Sequence, residues 1–544
     1  MHRVAGAVAL LVVSAAAQPQ FTDVTAAAGI DFDHTFGGLE KHHILAAHGS
    51  GAAFFDYDND GDQDLLFINS ANWHHKPTPS PAPTMRLYRN DGHGHFDDVT
   101  VSAGLSESFY GMGAAVADYD ADGWVDLWAS GQLWRNIKGE KFERAEKGPA
   151  GGAGIWADID NDGYPDYFGW DGAGKLFLNK GGKGFEDITK NMPPLPTKIS
   201  LGAVSGDFDG DGLVDFYVGG YEIWAKVAGF TDVIYRNLGG GKFEESWRTK
   251  GQLQPARGIT AADFDEDGDL DIYVSNYRLQ PNLLWQNDGK GGLSNVATPF
   301  GTAGDGGLGA WGHTIGSSWG DLDNDGHLDL FVGNFSHPPA YQDRPKFLRN
   351  KGPKEKFHFE DKSAGAGLRW QESYASPTLA DFDNDGLLDL FFTTVYGGNR
   401  SVLYRNKGDW KFEEIPNAAG MNTEKTYQGA WADFNGDGYL DLVSGGKLFR
   451  NPGGDAGWLK VHLVGGGKVN RSAIGSQVRI RLGEKTLLRQ VDGATGQGNQ
   501  NELVLHFGLG TTKKPVGIEV LWSDGKLQKG WGLINKTVKI TYSK

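Results

Sequence analysis

The chain contains 544 residues, no cysteine and a formal net charge of −17. The lack of cysteine excludes a disulfide framework and thiol chemistry. The acidic balance argues against nucleic acid as a partner, because phosphate binding needs clustered lysines and arginines. The 82 glycines and the aromatic content of 12% favour many short strands joined by tight turns.

Residues 1–17 have the features of a secretory signal peptide. Met1–Arg3 gives a basic start, Val4–Val13 is apolar, and small residues end at Ala17, where we expect cleavage. The apolar run is too short for a permanent bilayer span, and no later stretch is long and apolar enough. The sequence therefore predicts a secreted or periplasmic protein without a membrane span, and we expect a monomer.

A nine-residue acidic pattern, D-x-D-x-D-G-x-x-D, first occurs at Asp56–Asp64 and returns seven times along the chain. Carboxylates at alternate positions of a tight loop can converge on one point, and hard oxygen ligands suit Ca²⁺. Position 12 never holds the Glu of an EF-hand, so we expect the Asp at position 9 to close the cage. Acidic turns chosen only for turn chemistry are disfavoured, because eight copies keep the same offsets.

The sequence thus predicts up to eight Ca²⁺ ions, each held by positions 1, 3, 5, 7 and 9 of one loop. Position 7 would contribute only its backbone carbonyl, and Asn435 replaces the second Asp in the last copy. The predicted ligands are Asp56, Asp58, Asp60, Asp62, Asp64, Asp118, Asp120, Asp122, Trp124, Asp126, Asp158, Asp160, Asp162, Tyr164, Asp166, Asp207, Asp209, Asp211, Leu213, Asp215, Asp263, Asp265, Asp267, Asp269, Asp271, Asp321, Asp323, Asp325, His327, Asp329, Asp381, Asp383, Asp385, Leu387, Asp389, Asp433, Asn435, Asp437, Tyr439 and Asp441.

Each acidic loop belongs to a repeat with four predicted strands. A small-residue strand precedes the loop and an apolar strand follows it; then come L-Y-R-N (Leu87–Asn90) and F-E-D-V-T-like (Phe96–Thr100) elements. Four short strands recurring every 40 to 60 residues or so are typical of β-propeller blades. Residues 18–456 are therefore predicted to form an all-β propeller.

The last repeat lacks the F-E-D-V-T element, and a spare copy, Phe21–Thr25, precedes the first loop. We expect this N-terminal strand to complete the last blade, which removes an open sheet edge. The predicted ring has eight blades. A seven-bladed ring is the alternative if the short second unit is not a full blade.

Residues 457–544 lack the repeat and contain several strand-like segments, which predicts a small β-sandwich-like domain packed on the propeller. The repeats resemble the FG-GAP/VCBS repeats of integrin α-chain propellers. Asn470–Val478, His506–Gly510 and Val520–Gly525 resemble the ASPIC/UnbV domain, although Ser523 stands where that pattern favours Pro. Together the chain is similar to a bacterial member of the cartilage acidic protein family, which implies a secreted, calcium-binding propeller with no established common chemistry.

The propeller face opposite the acidic loops carries the variable segments, and function concentrates in loops on a rigid scaffold. Its histidines suggest acid–base or transition-metal chemistry, or simply solvated loop residues. Its tryptophans suggest sugar stacking or packing between blades. The candidates are His34, His42, His43, His48, Trp73, His75, Trp311, His313 and His337.

Two functions follow from this face. The first is a non-enzymatic exported module that binds a protein or a glycan. The alternative is a carbohydrate-active enzyme, a polysaccharide lyase or hydrolase, with its site opposite the calcium loops. The enzyme would require the histidines to converge on one pocket with carboxylates or an arginine.

Overall fold

The computed structural model describes residues 21–34, 51–69, 85–107, 113–129, 131–145, 148–149, 154–170, 174–196, 200–221, 231–251, 254–306, 311–336, 343–415, 421–467, 469, 471–491, 499 and 501–543. The predicted signal peptide lies outside these ranges. Of the helices described, none is long and apolar enough to cross a membrane. They are α1 (Ala297–Phe300) and two short 3₁₀ segments, Thr189–Asn191 and Pro353–Glu355.

Within the described ranges, β1 (Thr22–Asp23) precedes seven consecutive four-stranded antiparallel sheets, which we number blades 1 to 7. Their strands are β2 (Ala52–Phe55), β3 (Asp64–Ile68), β4 (Met85–Asn90) and β5 (Phe96–Asp98) in blade 1; β6 (Ala114–Ala117), β7 (Asp126–Ala129), β8 (Gln132–Ile137) and β9 (Lys141–Arg144) in blade 2; β10 (Gly154–Ala157), β11 (Asp166–Gly169), β12 (Lys175–Asn179) and β13 (Phe185–Asp187) in blade 3; β14 (Ala203–Gly206), β15 (Asp215–Val218), β16 (Val233–Asn237) and β17 (Phe243–Arg248) in blade 4; β18 (Ala256–Ala262), β19 (Asp271–Asn276), β20 (Leu283–Asn287) and β21 (Leu293–Asn295) in blade 5; β22 (His313–Gly320), β23 (Asp329–Phe335), β24 (Lys346–Asn350) and β25 (Phe359–Asp361) in blade 6; and β26 (Pro377–Ala380), β27 (Asp389–Phe392), β28 (Val402–Asn406) and β29 (Phe412–Glu414) in blade 7.

Blade 8 joins the two ends of the repeat region. It contains β30 (Ala430–Ala432), β31 (Asp441–Ser444) and β32 (Lys447–Arg450), and β1 pairs antiparallel with β32 through Thr22 opposite Arg450. The predicted closure by the N-terminal strand is therefore confirmed. The eight-bladed count is confirmed as well, because the short second unit forms a complete sheet.

The first strands of neighbouring blades contact one another and line the centre of the ring. The second strands read as continuous apolar runs, such as Leu65–Ile68, because both of their faces are buried between blades. Each acidic loop connects the first strand of a blade to its second. All the acidic loops consequently lie on one face of the propeller.

The last 88 or so residues fold into two further sheets that share an apolar core. One has the strand order β36-β33-β39 and the other β35-β34-β37-β38. The strands are β33 (Gly457–Val464), β34 (Gln477–Leu482), β35 (Lys485–Gln490), β36 (Leu505–Gly510), β37 (Val516–Leu521), β38 (Leu527–Gly532) and β39 (Lys536–Thr541). The domain boundary between residues 456 and 457 stays a prediction.

This C-terminal unit lies against the acidic loops of blades 6 to 8. The backbone N–H groups of Thr486 and Gly510 donate to the carbonyls of Asn324 (3.1 Å) and Asn384 (2.9 Å). Asn499 reaches the ring centre, where its Oδ1 accepts the N–H of Ala52 (3.2 Å) and its Nδ2 donates to the carbonyl of Tyr427 (2.6 Å). The unit thus contacts both one loop face and the inner strands of blades 8 and 1.

Candidate functional site

Each acidic loop is organised by its own carboxylates. In blade 1 the Asp56 carboxylate accepts the N–H groups of Asp60 and Gly61, both at 3.1 Å, and Asp60 accepts the N–H of Asp62 at 2.9 Å. Asn59 and Gly61 have left-handed φ values of 57° and 98°. A Cβ at Gly61 would meet no atom, so the backbone conformation, and not lack of space, favours glycine there.

The Asp at position 9 anchors the loop to the blade. In blade 1 the Asp64 carboxylate accepts the N–H of Tyr57 through Oδ2 and the N–H of Asn90 through Oδ1, both at 2.9 Å. Both bonds recur in all the other blades. Position 9 is buried in every copy, so its carboxylate is held at a fixed place beneath the loop.

The loops bring several predicted ligands together. Carboxylate oxygens of Asp56, Asp58 and Asp64 lie within 4.8 Å of one another, and the same positions converge in blades 3, 4 and 5. In blade 2 the converging residues are Asp118, Asp120 and Asp122. Buried oxygens without a hydrogen-bond partner among the described residues occur at Asp58, Asp265, Asp323, Asp381, Asp383 and Asp433.

The electrostatics of these loops favour a cation. Burial raises the pKa of Asp64 and of Asp126 to about 8, and that of Asp271 to about 9, and neighbouring carboxylates add to the effect. Ionisation of these carboxyls is therefore unfavourable in the loop alone, and a divalent ion would compensate by stabilising the ionised forms. The donor set, the clustered carboxylates and the unpartnered oxygens therefore fit a metal ion. Coordination by the position 7 carbonyl stays a prediction.

The arginine of L-Y-R-N also takes part in the loops, which the sequence analysis did not anticipate. Arg135 contacts Asp120 at 2.5 Å and Asp122 at 3.2 Å, bridging positions 3 and 5 of its own blade. Arg349 contacts Asp323 and Asp325 in the same manner at 2.7 and 3.1 Å. The available signal was the recurrence of an arginine at this place in six of the eight repeats, with Leu178 and Gln286 as the exceptions.

The asparagine of L-Y-R-N links neighbouring blades, also unanticipated. Asn90 donates through Nδ2 to the carbonyl of Gln63 in its own loop (3.0 Å) and to that of Phe434 in blade 8 (2.7 Å). The bond to the preceding blade recurs around the ring between Asn136 and Tyr57, Asn179 and Tyr119, Asn237 and Ile159, Asn287 and Phe208, Asn350 and Phe264, Asn406 and Leu322, and Asn451 and Phe382. Each loop is thereby fixed to its neighbour.

The C-terminal unit supplies its own groups to the loops that it covers. The N–H of Gly508 donates to Asp381 Oδ2 at 3.0 Å, and Lys460 Nζ lies 3.0 Å from Asp433 Oδ2. The buried guanidinium of Arg489 lies near Asp381 and opposes the rise in the pKa of that carboxyl, which burial causes. The loops of blades 6 to 8 therefore bond directly to the C-terminal unit, whereas in blade 2 Arg471 of that unit acts on Asp118 electrostatically.

On the opposite face, the structure describes His34, Trp311 and His313 among the nine candidates. His34 Nε2 lies 3.4 Å from the carbonyl of Lys425 in blade 8, and burial lowers its pKa to about 4. The His313 ring contacts the Tyr277 ring in a tilted arrangement at a centroid distance of 4.6 Å, and Trp311 packs on the core around blades 5 and 6. The contacts of the two histidines thus lie on different blades.

The other candidates, His42, His43, His48, Trp73, His75 and His337, lie outside the described residues. Whether they converge on one pocket stays a prediction. The half-buried position of Trp311 favours packing between blades over sugar stacking for that residue.

Comparison with known families gave two matches. FG-GAP-like repeats match residues 56–129, 158–218, 229–274, 263–332, 321–392 and 381–444, and an ASPIC and UnbV domain matches residues 466–544. Cartilage acidic protein 1 of Xenopus tropicalis is 30% identical over 306 residues, covering 53% of this chain and 45% of that protein. The Homo sapiens protein is 28% identical over 306 residues, covering 53% and 44%. The match spans less than half of these relatives' length.

Two solved structures are similar in outline. The V. cholerae biofilm matrix protein Bap1 gives a TM-score of 0.38 at 13% identity, covering 74% of this chain and 88% of that one. BBS1N, solved in complex with ARL6DN, gives 0.32 at 11% identity, covering 70% and 91%. At these TM-scores neither structure bears on function.

Proposed function

Because the chain belongs to the FG-GAP-like repeat family and ends in an ASPIC and UnbV domain, we propose that it is an exported, calcium-binding β-propeller that serves as a binding module for a protein or a glycan. The observation that carries the calcium assignment is the convergence of buried carboxylate oxygens in loops of one shape. Export is supported by the signal-like residues 1–17.

Calcium suits these loops better than magnesium does. Ca²⁺ accepts six to eight oxygen ligands in flexible geometry, whereas Mg²⁺ demands near-ideal octahedra and retains water. When bound, the ion would supply positive charge that stabilises the ionised carboxylates. Asp56 and Asp64 would hold it from the two ends of the loop, and Asp58 from the middle. Outside the cell, millimolar calcium can fill even weak sites.

The binding role is assigned to the face opposite the acidic loops. The inter-blade asparagines fix each blade to the next, and the sequence predicts that the variable segments belong to the other face. A rigid ring with variable loops is suited to recognition, since the scaffold does not have to be ordered on binding.

One observation favours the enzyme as a second candidate. The His313 ring contacts the Tyr277 ring, and the centroid of the Tyr277 ring lies 4.9 Å from the guanidinium carbon of Arg257. Tyr277 thus contacts both His313 and Arg257. The histidine and the tyrosine can supply acid–base groups, and the arginine can bind a substrate carboxylate, as a uronate lyase would need. Of the histidines that the enzyme hypothesis requires, this arrangement includes His313.

A binding screen with a catalytic assay tests the proposal. The full chain in calcium is probed on a glycan array and against extracellular proteins, and is then incubated with uronate polymers. We expect saturable binding without product formation. Unsaturated oligosaccharides would establish the lyase in place of the binding module, and an absence of any ligand together with an absence of turnover would contradict both.

A further inference from the structure

Six side chains gather at the ends of the blades away from the acidic loops. Arg257 lies at the start of β18 and His313 at the start of β22, whereas Tyr277 follows the end of β19. The others are Tyr221, Tyr396 and Tyr427, which lie beside the corresponding ends of β15, β27 and β30. These six residues, which we term the Arg257 cluster, come from blades 4 to 8.

Arg257 is the cation at the centre of this cluster. Its side chain is 8% exposed, and its guanidinium lies over the Tyr277 ring at 4.9 Å and bonds to Tyr427. Burial lowers the pKa of Arg257, but the phenols of Tyr427, Tyr221, Tyr277 and Tyr396 outweigh it and leave the pKa raised. The guanidinium therefore stays charged and is fixed among phenol oxygens.

Partly exposed rings lie in front of this buried cation. Tyr277, His313 and Tyr396 are half-buried, whereas Tyr221 and Tyr427 are 2% exposed. The Tyr277 ring packs at a tilt against His313, with centroids 4.6 Å apart, and Tyr396 packs in the same manner on Phe335 at 5.4 Å. Rings held by such contacts offer preformed flat surfaces at low entropic cost.

The inner strands of blades 3 to 5 leave part of the ring centre exposed, next to the buried Arg257. The inner strands β10 and β14 of blades 3 and 4 are half-exposed along their whole length, and so is most of β18 in blade 5. The inner strands β2 and β30, next to Asn499, are fully buried. Among the described residues, Asn499 of the C-terminal unit thus contacts blades 8 and 1, whereas the inner strands of blades 3 to 5 keep exposed surface.

We propose that the Arg257 cluster binds the carboxylate-bearing ring of an acidic sugar, a uronate. Guanidinium and carboxylate match in a two-point charged hydrogen bond. The half-buried aromatic rings can stack on the C–H face of a pyranose, and the phenols and the imidazole can bond to its hydroxyls. This inference rests on the proposed glycan-binding function and names its ligand class.

Calorimetric titration of the full chain in calcium with trigalacturonate tests this site, with galactotriose as the neutral counterpart. We expect binding of the acidic trimer that is about tenfold or more tighter than that of the neutral one. Arg257→Gln should weaken trigalacturonate binding by about the same factor. Arg481→Gln, at an exposed arginine of the C-terminal unit, is the matched control and should leave binding unchanged.

Tyr277→Leu provides a second variant if Arg257→Gln does not fold. It removes the partly exposed ring but no charge, and we expect several-fold weaker binding by a variant that still folds, which circular dichroism checks. Three results would overturn the inference. They are equal affinity for the two trimers, undiminished binding by the variants, and preference for an acidic peptide over the sugar. Binding of another glycan that survives Arg257→Gln would overturn it too, while leaving the proposed function intact.

Discussion

The acidic loops of blades 1 to 5 and those of blades 6 to 8 share one sequence pattern but lie in different surroundings. The first Asp of each loop is half-buried in blades 1 to 5. In blades 6 to 8 the equivalent residues, Asp321, Asp381 and Asp433, are 0%, 1% and 6% exposed. The difference comes from the C-terminal unit, which covers only the second group. The same motif thus serves as an open loop and as a docking surface.

The covered loops have charge partners outside their own repeat. Lys460 lies 3.0 Å from Asp433 and 3.2 Å from Glu502, in the copy where Asn435 replaces an aspartate. Arg489 lies beside Asp321 and Asp381. Open loops have fewer such partners: Arg471 of the C-terminal unit acts electrostatically on Asp118, and Gln286 of the same repeat bonds to Asp265. We therefore expect open loops to depend more on an added cation than covered ones do.

Removal of divalent ions should give the largest effect. Excess EDTA leaves converging carboxylates uncompensated, so we expect the melting temperature to fall by roughly 10 °C or more. Calorimetry with and without calcium measures the shift. As calcium is removed, hydrogen exchange should show the loops of blades 1 to 5 losing protection before those of blades 6 to 8. Simultaneous loss of protection would contradict the distinction between the two groups.

Lys460→Met tests the covered group. The substitution leaves Asp433 and Glu502 buried without their ammonium partner, and we expect a loss of about 3–5 kcal/mol in unfolding free energy. Lys447→Met is the matched control, because its pair with Asp23 is solvent-exposed and should cost less than about 1 kcal/mol. Urea unfolding compares the two, and equal losses would contradict a role for Lys460 in docking.

Single aspartates in the two groups can be compared next. Asp381 accepts N–H groups from Gly386 and, across the interface, from Gly508, so Asp381→Ala should cost about 3 kcal/mol. In the part of the chain that the structure describes, Asp158 accepts hydrogen bonds from its own loop, at Asp162 and Gly163. Asp158→Ala should therefore cost about 1–2 kcal/mol without abolishing the fold. A larger loss at Asp158, measured by urea unfolding, would reverse the comparison.

Asp232 is a buried carboxylate outside the loops, and its effect on the pH dependence of stability serves as a reference for both groups of loops. Burial raises the pKa of Asp232 to about 7, while Tyr217 and Gly220 donate to it at 2.7 and 2.8 Å. The folded state therefore binds an extra proton between about pH 4 and 7, and stability falls as pH rises through this window. Asp232→Asn should flatten that slope by about 1 kcal/mol per pH unit, equally with and without calcium. A slope unchanged by the substitution in pH-dependent unfolding would contradict this assignment.

The repeat made the propeller predictable. Every blade carries the same strand and loop residues, and the spare Phe21–Thr25 element indicated how the ring closes. The converging aspartates were predictable too, because their spacing within nine residues fixes their geometry. The links between Asn90 and Phe434, and between Lys460 and Asp433, were not. These contacts join residues of different repeats or domains, and no local pattern encodes them.

The Arg257 cluster was missed for the same reason. Its members come from five blades, and each alone is an ordinary strand-end residue. The histidine and tryptophan candidates were chosen by residue type from variable segments. Of the three that the structure describes, only His313 joins the cluster.

Native mass spectrometry of the full chain in calcium most directly tests whether the acidic loops hold calcium ions. We expect discrete calcium adducts, up to eight, that are lost in EDTA together with the fall in melting temperature. Asp158→Ala should remove one adduct and leave the others. A chain that retains no calcium and melts at the same temperature in EDTA would contradict the assignment of the loops as calcium sites.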